Sequence, residues 1–141
     1  MLYDLLAPGV AYFGFPVKSR VLLIEDNEVN RYLATFLLRR EGLEVIHALN
    51  GREGVERARA DLPEVIVMDI EMPEMDGYEA ARLLLQMTET RHLPIVASTS
   101  YAMPGERAKA LAMGFADYIE KPYDPADFVA RILRCLPLSH P

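Results

Sequence analysis

Five residues at four places in this sequence could do chemistry together. Glu25 and Asp26 follow the apolar run Val21–Ile24. Asp69 follows Val65–Met68, Thr99 closes a run beginning at Pro94, and Lys121 follows Tyr118–Glu120. Three carboxylates gathered at one place repel and raise one another's pKa. A hard divalent cation removes that penalty, and Mg²⁺ takes one or two carboxylates with waters and a phosphate oxygen. In such a site Asp69 is placed as a carboxylate nucleophile toward phosphorus. Asp26 and Asp69 hold Mg²⁺ directly and Glu25 binds it through water. Lys121 neutralises phosphoryl oxygens and Thr99 donates a hydrogen bond to one, which amounts to in-line phosphoryl transfer by positioning and charge.

These residues lie far apart in sequence, so the elements between them must bring them together. Short hydrophobic runs that end abruptly in polar residues read as buried parallel strands. They cover Val21–Ile24, Leu43–His47, Val65–Met68, Pro94–Ala97 and Tyr118–Glu120. Helical patterns alternate with them. Val29, Leu33, Phe36 and Leu37 make an apolar face that ends at Gly42. Asn50 caps a helix to about Ala60, whose modest stripe of Val55, Ala58 and Leu62 suggests a place at an edge. Asp76-Gly77 opens a helix with Tyr78, Ala81, Leu84 and Leu85 inward. Pro104 suits the first turn of the next helix and Gly114 its end. Asp124-Pro125 starts the last, with Phe128, Val129, Ile132, Leu133 and Leu136 as its stripe. The alternation predicts an α/β fold, a (βα)5 doubly wound parallel sheet in the flavodoxin-like order 2-1-3-4-5. Its functional crevice lies beyond the strand ends that carry Glu25, Asp26, Asp69, Thr99 and Lys121. One Asp after a strand is ordinarily a turn residue or helix cap; the weight here comes from four converging strand ends with complementary chemistry.

Composition sets the bounds. The 141 residues are 51% hydrophobic and 26% charged, with 15 Lys and Arg against 21 Asp and Glu, for a net charge of −6. That disfavours nucleic-acid binding through the whole surface. The uncharged apolar run Leu5–Val17 has 13 residues and is broken by prolines and glycines, too short to span a membrane. A single cysteine, Cys135, excludes an internal disulfide framework and paired-cysteine zinc sites. His47, His92 and His140 form no zinc-protease pair. The expected location is the cytoplasm.

The stretches Val21-Leu-Leu-Ile-Glu-Asp-Asn27, Val65 through Asp69 to Gly77, Pro94 through Thr99 with Ala102-Met-Pro-Gly105, and Tyr118-Ile-Glu-Lys-Pro122 resemble the receiver domain of bacterial two-component response regulators. The spacings agree: 43 residues from Asp26 to Asp69, 30 onward to Thr99 and 22 to Lys121. The resemblance covers residue 19 to about residue 136. It implies that Asp69 accepts a phosphoryl group from a histidine kinase or phosphotransfer protein, with Mg²⁺ as cofactor. It implies that the backbone carbonyl of Glu71 completes the metal ligands beside Asp26 and Asp69. Thr99 and Tyr118 match the family's switch pair, the hydroxyl shifting toward the phosphate and the ring turning inward. The added charge, roughly −1.5 to −2, then draws Thr99 and Lys121 in and changes the surface of the fourth helix, fifth strand and fifth helix. A cis Lys121–Pro122 bond is a further family feature.

Positions 71 and 101 tune phosphorylation rates in this family. Glu71 sets a negative charge in the path of an anionic donor, and Tyr101 restricts the attacking water. Ser100 stands where the family usually has alanine. The domain reading is an apolar extension over residues 1–18, a receiver over 19–137 and a tail over 138–141. The extension is either a dispensable arm or an aromatic segment that packs on the domain or a partner. The length leaves no output domain, so a stand-alone regulator acting on a downstream protein target is expected, with a homodimer left open and with no direct contact to nucleic acid or membrane. A flavin carrier of this fold would need a phosphate loop where Glu25-Asp26-Asn27-Glu28 is repulsive, and a phosphohydrolase would need more chain. The alternative within the same fold is a protein-interaction module that works without phosphorylation.

Overall fold

Strand ends set where everything else in this molecule can lie. The computed structural model describes residues 19–72 and 75–137; the expected extension over 1–18, the tail over 138–141 and His140 lie outside them. Five strands, β1 (Arg20–Ile24), β2 (Glu44–Ala48), β3 (Val65–Asp69), β4 (Ile95–Thr99) and β5 (Asp117–Glu120), alternate with five helices. These are α1 (Glu28–Arg40), α2 (Gly51–Asp61), α3 (Gly77–Gln86), α4 (Glu106–Met113) and α5 (Pro125–Cys135). All strand pairs are parallel and the order is β2-β1-β3-β4-β5, as the alternation predicts. The reversal of strand order between β1 and β3 opens the crevice at their carboxyl ends.

Strand period divides the core in two. Leu22, Ile24, Ile66, Met68, Ile95 and Ala97 face α2, α3 and α4, where Ala58, Ala80, Ala81, Leu84, Ala110 and Phe115 close the layer. Val21, Leu23, Val65, Val67 and Val96 face α1 and α5 and meet Leu37, Leu38, Phe128, Val129 and Ile132. Caps fix the helix starts: the side chains of Asn27, Asn50, Asp76 and Asp124 accept backbone N–H groups of α1, α2, α3 and α5. Gly42 carries φ 85° just past α1, a conformation that favours glycine.

Several sequence expectations need correction. In α1 the buried residues are Ala34, Thr35, Leu37 and Leu38. Val29, at 76% exposure, and Tyr32, at 74%, stand outward with Leu33 and Phe36. Of the expected face only Leu37 is buried, because apolar residues stand on more than one side of the helix between Tyr32 and Leu38 and periodicity alone does not choose among them. The half-exposed Phe36 ring lies 5.7 Å under the Arg40 guanidinium. Helix α2 lies over β1 and β2 beside α3 and buries Gly51, Gly54 and Ala58; a Cβ on Gly54 would stand 2.3 Å from Ile24 Cδ1. Leu62 ends this helix half-exposed, at φ 45°. Pro104 precedes α4 rather than opening it. The Pro104-Gly105 pair makes a turn in which Glu106 N–H reaches Met103 O at 3.1 Å, and Gly105 has the φ 84°, ψ −10° of a type II turn. Strand β2 starts one residue later than expected. Strand β4 continues through its polar end because Ser98 O accepts Ile70 N–H at 3.0 Å and Thr99 O accepts Lys121 N–H at 2.7 Å. In α3, Ala81 and Leu84 are buried while Tyr78 and Leu85 pack at the margin. In α5, Leu133 is exposed at 41%.

Candidate functional site

The sheet's carboxyl rim brings the expected residues together. Glu25 and Asp69 are buried and Asp26 is exposed. One carboxylate oxygen from each of the three lies within 4.8 Å of the others. Lys121, itself buried, sets its Nζ 3.0 Å from Glu25 Oε1 and 3.5 Å from Asp69 Oδ2. It lies at the β5–α5 connection, where the Lys121–Pro122 bond is cis. Glu25 is further held by the Asn27 N–H on Oε2 at 3.2 Å, and Arg31 donates to the Glu25 carbonyl at 3.1 Å.

One ammonium faces three carboxylates, so the pocket carries excess negative charge in a confined space. Asp69 shows the strain of this: burial pushes its carboxyl up from 3.8 to about 6. The Glu71 N–H, which donates to Asp69 Oδ1 at 2.9 Å, and the Lys121 charge oppose the rise, whereas Glu25 adds to it. All-oxygen donors with a surplus of charge suit a hard divalent cation such as Mg²⁺.

The rim above Asp69 is lined from β4. Thr99 is fully buried, and its hydroxyl donates to the Glu71 carboxylate. The Ser100 N–H donates to Glu71 Oε1 at 3.0 Å and the Tyr101 N–H to Glu71 Oε2 at 3.3 Å. The Tyr101 N–H also reaches Thr99 Oγ1 at 3.0 Å, while the residue as a whole is 73% exposed. Below, Ser98 Oγ and the Tyr123 hydroxyl are 2.7 Å apart.

Tyr118 lies inward, 6% exposed. Its hydroxyl donates to Glu106 Oε1 at 3.2 Å, and the Tyr78 hydroxyl donates to Glu106 Oε2 at the same distance. Burial and the Glu106 carboxylate push both phenols up to about 12, so both remain donors. Sequence reasoning missed Glu106. It lies 28 residues from Tyr78 and 12 from Tyr118, and its sequence context is that of an ordinary acidic first-turn residue. On the adjoining face a groove of about 350 Å³ is lined by Met103, Arg107, Tyr118, Glu120 and Arg131 among others. Arg107 and Arg131 there both pair with the buried Asp117, at 3.2 and 2.8 Å.

Away from the rim, His47 is half-buried, its Nε2 lying 2.9 Å from Thr35 Oγ1. Cys135 packs beside the α1–α5 core, and burial pushes its thiol up. Among the described residues no helix is long and apolar enough to cross a membrane.

Comparison with known proteins agrees with this geometry. The family described as the response regulator receiver domain matches residues 21–133. The polar-differentiation response regulator DivK of Brucella anthropi is 38% identical over 116 residues, 82% of this chain and 94% of that protein. Among solved structures, Vibrio cholerae chemotaxis protein CheY4 superposes with a TM-score of 0.79 at 27% identity, covering 85% of this chain and all of that one. The receiver domain of the sensor histidine kinase PA1611 from Pseudomonas aeruginosa, solved with a magnesium ion coordinated in its active-site cleft, has a TM-score of 0.75 at 35% identity. It covers 84% of this chain and 96% of that one.

Proposed function

The chain belongs to the response regulator receiver family, and from that premise we propose that Asp69 is its phospho-acceptor. The observation that carries the reading is the buried Asp69 carboxylate, held by the Glu71 N–H and faced by Lys121 Nζ at 3.5 Å within the three-carboxylate pocket. An Asp69 oxygen attacks phosphorus in line, a new P–O bond forms, and the P–N bond to a donor histidine breaks. Lys121 meets the incoming phosphoryl charge. Asp26, Asp69 and the Glu71 carbonyl are the residues that would hold Mg²⁺, with Glu25 acting through water and by positioning Lys121. Bound there, the cation neutralises charge on the phosphoryl oxygens. Thr99 then donates to one of those oxygens and, with Tyr118, forms the switch pair.

The chemistry is that of a signalling protein: self-phosphorylation and slow autodephosphorylation, tuned by Glu71 and Tyr101, in a bacterial cytoplasm. Receiver domains interact with histidine kinases or phosphotransfer proteins and with targets. Here the outward Val29, Tyr32, Leu33 and Phe36 run along α1 from the acidic pocket. We assign that face to the phosphohistidine donor, which must bring its phosphorus to Asp69, and the α4–β5–α5 groove to the downstream protein. The domain reading is a receiver over 19–137 between an extension over 1–18 and a tail over 138–141.

The test is incubation with acetyl phosphate, with and without Mg²⁺, read by intact mass, with Asp69→Asn as control. A Mg²⁺-dependent gain of one phosphoryl group, absent in the variant, is the expected result. No gain from acetyl phosphate and none from a phosphohistidine protein would leave an interaction module that works without phosphorylation.

A further inference from the structure

The Glu71 carboxylate gathers three donors from the end of β4: the Thr99 hydroxyl, the Ser100 N–H and the Tyr101 N–H. Two backbone N–H groups and a hydroxyl converging on one anion make a small anion-binding nest. It lies next to the phospho-acceptor, because Asp69 pairs in register with Ser98, the residue before Thr99. Glu71 is two residues beyond Asp69, and its own N–H holds Asp69 Oδ1 at 2.9 Å. One residue therefore steadies the acceptor with its backbone and occupies the neighbouring donors with its side chain.

We propose that the Glu71 side chain is an internal stand-in for the phosphoryl group, filling the Thr99–Ser100 donor site until Asp69 is phosphorylated. The proposal rests on the reading of Asp69 as acceptor. A carboxylate and a phosphoryl oxygen ask for the same charge-assisted hydrogen bonds, and the two anions cannot share them. Phosphorylation therefore requires the Glu71 carboxylate to release Thr99 and Ser100 and turn to solvent, which is open to it because the residue is exposed. Glu71 acts through these donors and is a positioning residue, one that slows phosphoryl entry by occupancy. This differs from simple repulsion of an anionic donor, which needs the charge but not the contacts.

Three variants separate the two. Glu71→Ala removes both charge and contacts. Glu71→Asp keeps the charge on a side chain one methylene too short to reach all three donors. Glu71→Gln keeps the reach, loses the charge and is expected to fall between Ala and the unsubstituted protein. The full chain is phosphorylated with acetyl phosphate and Mg²⁺, and the rate is read by intact mass. Separately, the hydrogen exchange of the Ser100 amide is followed by NMR in metal-free protein. This amide is expected to be protected in the unsubstituted protein and released in the Ala and Asp variants, whereas the Tyr101 N–H keeps Thr99 Oγ1 as a second acceptor. Both of these variants are expected to phosphorylate about tenfold faster, the order of effect of losing one charge-assisted hydrogen bond. An Asp variant that keeps the unsubstituted rate while Ala accelerates would overturn occupancy in favour of repulsion. Equal rates in all forms, or an unprotected Ser100 amide in the unsubstituted protein, would overturn the proposal and leave Asp69 as acceptor intact. If no form accepts phosphate from acetyl phosphate or from a phosphohistidine protein, the acceptor reading itself fails and takes this proposal with it.

Discussion

Replacing Asp69 by asparagine should make the metal-free protein more stable. The carboxyl is 4% exposed and is held at about 6 against an ordinary 3.8. At neutral pH it is therefore ionised in a place that disfavours its charge by about 3 kcal/mol. Asparagine of nearly the same shape removes that penalty. It also gives up the attraction of Lys121 and must fit an NH2 group beside Glu25, which can accept from it. The expected net gain is about 1–2 kcal/mol at pH 7, or a rise in Tm of several degrees for a domain this size. The assay is urea unfolding with EDTA present, followed by far-UV circular dichroism. The pH dependence has a definite sign. The folded-state value lies above the unfolded one, so the folded protein binds the extra proton between about 6 and 3.8. Acidification through that window favours the folded unsubstituted protein, and the advantage of Asp69→Asn should shrink from pH 7 to pH 5. Adding Mg²⁺ should stabilise the unsubstituted protein more than the variant. A folded Asp69→Asn that is no more stable than its parent at pH 7 in EDTA would refute the idea that burial strains this carboxylate.

Three further outcomes are expected. Tyr32→Ser with Phe36→Ser should slow phosphotransfer from a phosphohistidine protein by about tenfold or more while leaving acetyl phosphate labelling unchanged, since large exposed aromatics are the anchors of docking surfaces; equal slowing of both reactions would count against the α1 face. Gly77→Ala would set a Cβ 2.5 Å from Ile70 Cα and 2.8 Å from Asp69 O, both backbone atoms that cannot give way. It should cost about 3 kcal/mol or more and slow Asp69 phosphorylation, whereas Gly54→Ala, which meets the Ile24 side chain, should cost about 1–3 kcal/mol by overpacking and spare the chemistry; urea titrations and acetyl phosphate labelling measure both. His47 is held below its ordinary 6.5 by burial and by Arg39, Arg31 and Arg57. The unfolded chain therefore takes up the proton first, and stability should fall as pH drops below 6.5; His47→Gln, able to keep a hydrogen bond to Thr35, should flatten that slope between pH 7 and 5.5.

Much of the rim was legible because β1, β3, β4 and most of β5 are buried on both faces and so read as hydrophobic runs, with the chemistry starting where the run stops. Glu25, Asp26, Asp69 and Lys121 announce themselves that way, and parallel topology does the gathering. Helix α1 was not legible in the same sense. Val29, Leu33 and Phe36 satisfy helical spacing as well as Ala34, Leu37 and Leu38 do, and only the sheet decides which set it covers. Glu71 was legible as a charge two residues past Asp69. Its role as acceptor for Thr99, Ser100 and Tyr101 depends on a side-chain torsion, and sequence carries no record of that. Glu106 was invisible because its partners come from two other elements.

That carboxylate yokes two helices to one strand. Glu106 sits in the first turn of α4, just past Gly105, and grips Tyr118 of β5 with one oxygen and Tyr78 of α3 with the other. Lys109, one turn on, lies 5.3 Å from the Tyr78 ring centroid and reinforces the hold. Tyr118 therefore cannot swing out without giving up its bond to Glu106, the residue that also holds Tyr78. A partner that seizes α4 takes hold of the same yoke from outside and pulls on the ring without touching the acidic pocket.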